Sequence, residues 1–181
     1  MSVRYGFDNY KWDQGRRCLL LPKAGEQAQV RLLQEPSEIF TLVRHWVKGY
    51  GYINCLGTNC LLCRRSSSRW NSAITPARSH FIVPLIDRTD DKIRAFEGGR
   101  PMANKLKIHY KANGSITQGD FVIKCDARKK GKDMYGLISL TSPPVPLTQA
   151  EIDRIQELDM NWLTTRGDKS EAEILNIIES L

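Results

Sequence analysis

A cluster of three cysteines with a histidine upstream constrains this 181-residue chain more than any other feature. Cys55, Cys60 and Cys63 fall within nine residues, and His45 lies ten positions before the first of them. One imidazole and three thiolates form a complete tetrahedral ligand set for Zn²⁺. Because four protein ligands leave no position for water, the spacing predicts one structural zinc ion that folds a loop too polar to bury a core of its own.

The remaining histidines and cysteines leave one ligand open. His45 is the histidine of the predicted set, but His80 could replace it and His109 is the remaining candidate. Cys18 and Cys125 are expected to be thiols of the core. The chain has no His-Glu-x-x-His motif and no His-x-Glu paired with Pro-Cys-x-x-Cys, which zinc hydrolases and nucleobase deaminases require. We therefore predict that the protein is not an enzyme.

Short strand-like segments dominate the rest of the chain. Runs rich in Val, Ile, Phe, Trp and Tyr are bounded by turn-forming residues, a pattern typical of strands. They do not alternate with long helical segments, so a parallel α/β fold is disfavoured. The predicted strands are 29–33, 40–50, 81–87, 92–97, 120–126 and 134–140, with a short helix at 101–110. The pattern predicts a mainly β protein, a small Greek-key barrel of the OB-fold type with a zinc-binding loop insertion and C-terminal helices.

Charge and turn residues divide the chain into three parts. Residues 1–25 form a basic and aromatic arm, residues 26–142 the OB-fold core with a zinc subdomain at about 45–70, and residues 143–181 a Pro-rich linker and an acidic helical region. In the last part, Thr148 precedes Glu151 and Ser170 precedes Glu173 by three positions, which is the form of a capping box. Residues 148–181 carry 8 acidic and 3 basic side chains, whereas the whole chain has a net charge of +7.

Two roles are open for this acidic region. It could compete with a polyanion for the basic body, since a tethered anionic segment acts at high effective concentration. Alternatively, its apolar side chains pack the helices against the barrel; these are Ile152, Ile155, Leu158, Ile174 and Ile178.

The segment 40–50 alternates cationic and aromatic side chains. Strand alternation would place Arg44, Trp46, Lys48 and Tyr50 on one face, with Tyr52 extending the row. Single-stranded nucleic acid needs this combination, because phosphates attract cations and unstacked bases stack on aromatic rings. The further candidate contacts are Arg64, Arg65, Arg69 and Trp70 after the cysteines, and Arg128, Lys129, Lys130 and Lys132 in the link between the last two strands.

Three segments carry a resemblance to a known family. They are residues 30–33 (VRLL), 44–47 (RHWV) and 55–65 (CLGTNCLLCRR), and the order of the ligands is His, Cys, Cys, Cys. This pattern resembles the zinc-containing single-stranded DNA-binding proteins of tailed phages, of the helix-destabilising type. The similarity continues more loosely through 81–87, 120–141 and 146–152, so that it covers about two thirds of the chain.

The resemblance implies an OB-fold whose zinc loops flank a basic, aromatic-lined cleft for single-stranded DNA. It assigns the metal to His45, Cys55, Cys60 and Cys63, and base stacking to Trp46, Tyr50 and Tyr52. It also implies cooperative binding through the basic N-terminal segment, and replication or recombination partners recruited by the acidic C-terminal region. This chain departs from the family in its tighter ligand gaps and its compact, helical end.

Two functions follow from these observations. The leading one is a sequence-tolerant protein that coats and protects single-stranded DNA in phage-type replication and recombination. The alternative is a zinc-stabilised docking or transcription factor that binds duplex DNA or RNA and a polymerase, although its one candidate recognition helix, 101–110, is short. The longest apolar runs are too short for a membrane span and the N-terminus lacks a signal-peptide core, so we expect an intracellular protein, in the bacterial cytoplasm if phage-encoded.

Overall fold

Seven antiparallel strands form one sheet in the computed structural model, which describes residues 22–66, 73–126, 135–140 and 143–181. The predicted arm lies outside these residues except for its last four positions, as does Cys18. The strands are β1 (Gln27–Leu32), β2 (Phe40–Val47), β3 (Gly51–Asn54), β4 (Arg78–Asp87), β5 (Lys92–Gly99), β6 (Asp120–Cys125) and β7 (Tyr135–Ser139). All six predicted strands are therefore present, and the segment 40–50 is divided into β2 and a turn.

The strand β4 organises the sheet, whose order is β3-β2-β4-β1-β6-β7 with β5 added on β4. Along one edge β4 pairs with β5 from His80 to Asp87, and along the other it pairs first with β2 and then with β1. The hairpin predicted at the end of the sheet is confirmed, since β6 pairs with β7 in antiparallel register. This establishes the mainly β class; the sheet is open within the described residues, and closure into an OB barrel stays a prediction.

Pro84 lies in the middle of β4, where the sequence predicts a bulge or a sheet edge. Its carbonyl accepts a hydrogen bond from the backbone N–H of Leu33 at 3.1 Å. Its nitrogen cannot donate a hydrogen bond. The part of β4 that pairs with β2 ends at Ile82, and the part that pairs with β1 begins at Leu85, so Pro84 lies between the two. The proline is tolerated because it occupies the point where β4 changes partner.

The two faces of the sheet bury different cores. Alternation along β4 sends Phe81, Val83 and Leu85 to one face, where they pack with helix α2 (Arg100–Asn113), and Ile82 to the other. The helix α2 is longer than the predicted 101–110, with a proline in its first turn and Gly114 in a left-handed conformation at its end. On the second face, Ile82 packs with Leu158 and Leu163 of the C-terminal region.

The C-terminal region consists of short helices that pack on the sheet. They are α3 (Gln149–Asp153), a 3₁₀ turn (Arg154–Glu157), α4 (Met160–Thr165) and α5 (Glu171–Glu179). Both predicted capping boxes are present, with the hydroxyls of Thr148 and Ser170 accepting backbone N–H bonds. The packing alternative is the one observed. Leu158 and Ile174 are buried as predicted, Leu163 and Ile177 are buried in addition, and Ile152 is exposed. No helix in the described ranges combines the length and the apolar character that a bilayer crossing requires.

Candidate metal centre

The hairpin of β2 and β3 has a buried side and an exposed side, and each carries one kind of functional residue. Across the hairpin His45 pairs with Ile53, and Trp46 pairs with Tyr52. His45 is completely buried, whereas Trp46 is 46% exposed. Because neighbouring strand residues point to opposite faces, a ligand on the inner side and an aromatic ring on the outer side are fixed by the same backbone.

The four predicted ligands converge on the inner side of this hairpin. The ligand atoms of His45, Cys55, Cys60 and Cys63 all lie within 4.8 Å of one another. Nε2 of His45 is 3.5 Å from the sulfur of Cys60 and 3.4 Å from that of Cys63, and the sulfurs of Cys55 and Cys63 are 3.5 Å apart. Donors bound to one tetrahedral zinc ion would be about 3.6–3.8 Å apart, so the donor set fits a metal ion of this kind.

The chain between the ligands is shaped by short-range bonds. The N–H of Cys55 donates to the carbonyl of Val43 at 2.8 Å, which anchors the start of the loop on β2. Gly57 then adopts φ +79°, a conformation that favours glycine, and opens a 3₁₀ turn (Gly57–Asn59) that leads to Cys60. Helix α1 (Leu61–Ser66) brings Cys63 back beside Cys60.

A backbone carbonyl orients the histidine. Nδ1 of His45 lies 2.9 Å from the carbonyl oxygen of Thr75, which can only accept, so Nδ1 carries the proton and Nε2 faces the sulfurs. The hydroxyl of Thr75 also accepts a bond from the N–H of Trp46 at 3.0 Å. Thr75 therefore supports both sides of the hairpin, although its distance from His45 in the sequence gives no pattern that could have revealed it.

The thiols are held in a site that disfavours several negative charges. Burial acts to raise the pKa of Cys60, but hydrogen bonds with the backbone of Leu56 and Cys63 outweigh it and lower that pKa. Burial, together with the neighbouring Cys55 and Cys60, raises the pKa of Cys63 to about 12. A bound cation would compensate three adjacent thiolates, and its binding would release their protons.

The last helix supports the metal cluster from outside. Ile174 and Ile177 of α5 are buried against Cys60 and Leu62, in a small core that also includes Ile53 and other residues of the hairpin. Cys55 and Cys63 pack at the edge of this core. The cluster is thus joined to the end of the chain, more than a hundred residues away, by apolar contacts.

The other histidines have different neighbours. Nδ1 of His80 is 3.1 Å from a carboxylate oxygen of Glu97, and its ring packs on Tyr52. His109 lies in α2, with its ring 4.9 Å from that of Phe121. In the part of the chain that the structure describes, no other group of three His, Cys, Asp or Glu side chains forms a cluster, so His45 is the ligand that the geometry selects.

The three predicted stacking residues form an exposed aromatic group at the hairpin, with Trp46 and Tyr52 on its outer side and Tyr50 in the turn. Trp46, Tyr50 and Tyr52 are 46%, 50% and 45% exposed. The rings of Trp46 and Tyr52 meet edge to face with centroids 5.1 Å apart. The hydroxyl of Tyr50 is 2.8 Å from that of Ser180, so the end of the chain touches this group. We call these three residues the aromatic group.

Arg44 lies on the predicted face beside Trp46, but its side chain is buried rather than exposed to a nucleic acid. Its side chain is 1% exposed, with Nε donating to Asn54 at 2.7 Å and a terminal nitrogen to Glu97 at 2.9 Å. Its other terminal nitrogen donates to the carbonyl of Leu163 at 3.3 Å. The guanidinium is thus held in structural bonds, one of which is to the C-terminal region.

Three other predicted cations lie in the described part of the chain, and all three are exposed. Lys48 is exposed in the turn after β2, and Arg64 and Arg65 are exposed in the last turn of α1. Sequence alternation did not single out Arg78, which is exposed and pairs with Arg44 across β2 and β4. Six predicted contacts lie outside the described residues: Arg69, Trp70, Arg128, Lys129, Lys130 and Lys132.

Comparisons of the chain with protein-family models, with curated proteins and with solved structures found no match. The assignment of a function therefore rests on the metal cluster, the aromatic group and the charge of the chain.

Proposed function

We propose that this chain is a zinc-stabilised, sequence-tolerant single-stranded DNA-binding protein that coats and protects DNA strands during replication or recombination. The observation that carries the proposal is the construction of one hairpin, in which His45 faces the metal cluster and Trp46 and Tyr52 face solvent. The metal side fixes the backbone, and the fixed backbone presents the aromatic rings.

Zinc is the metal that best suits the donor set. Three thiolates and one imidazole favour a soft, tetrahedral ion, and a set with four protein ligands is typical of structural sites. The bound ion would cross-link β2, the loop and α1 and would supply no further chemistry. His45, Cys55, Cys60 and Cys63 would hold it, with the carbonyl of Thr75 orienting the imidazole.

The aromatic group suits unpaired bases. Every base has a flat face, and stacking on an aromatic side chain is worth about 1–3 kcal/mol per base with little dependence on sequence. Side chains of this size are usually buried, and several exposed together mark an interaction surface. Lys48 and Arg78 are exposed close to the same hairpin, and the net charge of +7 favours a polyanionic partner.

An OB-type arrangement is part of the same proposal. In that fold oligonucleotides bind across the second and third strands and the neighbouring loops. The aromatic group lies on β2 and β3 and on the turn between them, which are the second and third strands of this sheet.

The proposal is tested by fluorescence anisotropy with an end-labelled oligo-dT, in competition with unlabelled poly-dT, poly-rU and duplex DNA. Trp46→Ala and Tyr52→Ala should each weaken oligo-dT binding roughly 5- to 150-fold, the range that corresponds to one lost stacking contact. Tyr110→Ala is the matched control, because Tyr110 is a similarly exposed aromatic residue on α2. Affinity should fall as salt rises.

Two results would contradict the proposal. If the three variants bound alike, the aromatic group would not be the binding surface. If duplex DNA competed as well as poly-dT, the alternative of a zinc-stabilised docking or transcription factor would be favoured. Competition by poly-rU alone would change the partner from DNA to RNA.

A further inference from the structure

The helix α2 presents an exposed basic surface that the proposed function does not use. It packs against the sheet through Met102 and Leu106, and its fourteen residues include four cations and no acidic residue. Ile108, on its outer side, is 68% exposed. Lys105 and Lys111 lie one turn before and one turn after Ile108 and are exposed on the same side. We call Lys105, Ile108 and Lys111 the basic face.

Several cations in the described residues are neutralised by carboxylates, but those of the basic face are not. Arg88 and Arg94 pair with nearby carboxylates, and Arg31 pairs with Asp120. Within the described ranges, no carboxylate forms an ion pair with Lys105 or Lys111. The basic face therefore combines one exposed apolar side chain with two cations that are available to an acidic partner.

The helix α5 carries a surface of the same form and the opposite sign. Its inner side is buried through Ile174 and Ile177, and Leu175 on the outer side is 45% exposed. Glu171 and Glu179 lie one turn before and one turn after Leu175 and are exposed. We call Glu171, Leu175 and Glu179 the acidic face. Neither glutamate forms an ion pair with another described residue.

We propose that the basic face of one molecule binds the acidic face of a second copy of this chain. In such a contact Ile108 would meet Leu175, and the two lysines would meet the two glutamates. At the rise of an α-helix, Lys105 and Lys111 are about 9 Å apart along α2, and Glu171 and Glu179 are about 12 Å apart along α5. Each lysine can therefore reach one of the glutamates.

The arrangement of the two faces determines the kind of assembly. α2 packs on β4, β5 and β7, whereas α5 packs on α1 beside the metal cluster, so the faces belong to different parts of the molecule. A contact between two different surfaces is heterologous and does not close into a symmetric dimer, so it continues from copy to copy. One helix pair buries less than the roughly 1,200–2,000 Å² of stable complexes, so the association is weak and sensitive to salt.

Sedimentation velocity of the zinc-loaded full chain without nucleic acid tests the contact independently of the proposed function. At low salt the sedimentation coefficient should rise with protein concentration, and high salt should abolish the rise. Lys105→Glu with Lys111→Glu should remove it, as should Glu171→Lys with Glu179→Lys, because each variant opposes like charges. Lys23→Glu with Lys124→Glu, which makes the same change of charge on exposed residues elsewhere, should retain it.

Mixing the two reversed variants provides the decisive measurement. The first variant has an acidic face on α2, which can bind the basic face that the second variant has on α5. The unaltered acidic face of the first can also bind the unaltered basic face of the second. The mixture should therefore associate, although neither variant does so alone. Recovery on mixing would also show that both variants are folded. A mixture that stays monomeric, or a wild-type protein that never associates, would overturn the proposal. If the Lys105→Glu, Lys111→Glu variant still associated but bound poly-dT more weakly than the control, α2 would be a phosphate-binding surface instead.

Discussion

At the scale of single residues, His45 has two different partners for its two ring nitrogens. Nε2 faces the sulfurs, while Nδ1 is bonded to the carbonyl of Thr75. This pairing selects the tautomer that can bind a metal, and it ties the ligand to the segment that precedes β4. Loss of any ligand should therefore affect both metal content and the position of the hairpin.

Replacing Cys60 or Cys63 with serine should abolish stoichiometric zinc binding and lower the melting temperature, because the loop has little core of its own. Cys125→Ser is the control, since Cys125 is buried in β6, away from the cluster. Elemental analysis and thermal unfolding of freshly purified protein measure both effects. Full zinc content in Cys60→Ser would show that the cluster is not the metal site.

Glu35 should make the stability of the fold depend on pH. Burial acts to raise its pKa, but bonds from Ser115, Thr117 and the backbone of Ile116 outweigh burial and lower it. A lowered pKa means that the carboxylate stabilises the fold above its unfolded pKa of about 4.3, and that this stabilisation is lost as pH falls through the lower, folded value. Glu35→Gln should therefore cost about 1–3 kcal/mol near neutral pH and much less in acid.

Urea unfolding of wild type and Glu35→Gln at several pH values measures this difference. Any loss of metal in acid affects both proteins and cancels in the comparison. Glu179→Gln is the control, because Glu179 is exposed and forms no ion pair with another described residue. A cost for Glu35→Gln that stayed constant with pH would contradict the explanation.

At the scale of helices, the two capping boxes have the same chemistry but different surroundings. Thr148 begins α3, none of whose residues is buried, whereas Ser170 begins α5, which packs on the metal cluster. Thr148→Ala and Ser170→Ala should each cost about 0.5–2 kcal/mol of helix stability. Only Ser170→Ala should speed the release of zinc to a chelator, because only α5 supports the cluster.

A colorimetric chelator assay on the two variants measures this release. Equal rates for the two variants would mean that α5 does not restrain the metal. If the two variants have the same melting temperature, a difference in their rates of zinc release cannot result from a difference in global stability.

The strands, helix caps and metal ligands could be predicted from the sequence because their signals are local. A capping box occupies four residues, and the ligands from His45 to Cys63 are 18 positions apart. The burial of Arg44 could not be predicted in this way. Its partners Glu97 and Leu163 are 53 and 119 positions away, and alternation within β2 gives the side of the sheet but not what covers it.

The same reason explains the errors in the C-terminal region. Periodicity predicted that Ile152 and Ile155 face the core, but the chain there breaks into α3 and a 3₁₀ turn, and Ile152 is exposed. Leu163 is completely buried instead, because it reaches Ile82 and Ala95 on the sheet. Gly167 also passes so close to β3 that an added Cβ would lie 3.0–3.2 Å from atoms of Tyr52 and Asn54. Contacts of this kind depend on where distant segments meet.

At the scale of the whole molecule, residues 148–181 are part of the packed structure, through Leu158 and Leu163 on one side of the sheet and through Ile174 and Ile177 beside the metal cluster. Removal of residues 148–181 would expose Ile82 and Ala95 and take the carbonyl of Leu163 from the buried Arg44. We expect the protein without these residues to melt at a lower temperature and to bind oligo-dT no more tightly than the full chain. A truncated protein that kept its melting temperature and bound more tightly would favour competition by the acidic region, and thermal unfolding with anisotropy at low salt separates the two.

The spacing of the metal ligands also sets an order of events during folding. The cluster closes a loop of 18 positions, whereas the pairing of β1 with β6 brings together residues such as Gln29 and Asp120, whose side chains are hydrogen-bonded across 91 positions. Short loops close faster and at lower entropic cost than long ones. The hairpin should therefore capture zinc while β1 is still unpaired, and stopped-flow refolding with a zinc-sensitive dye would show metal uptake preceding the formation of the sheet. A chain emerging from the ribosome could complete its metal centre before β6 has been synthesised.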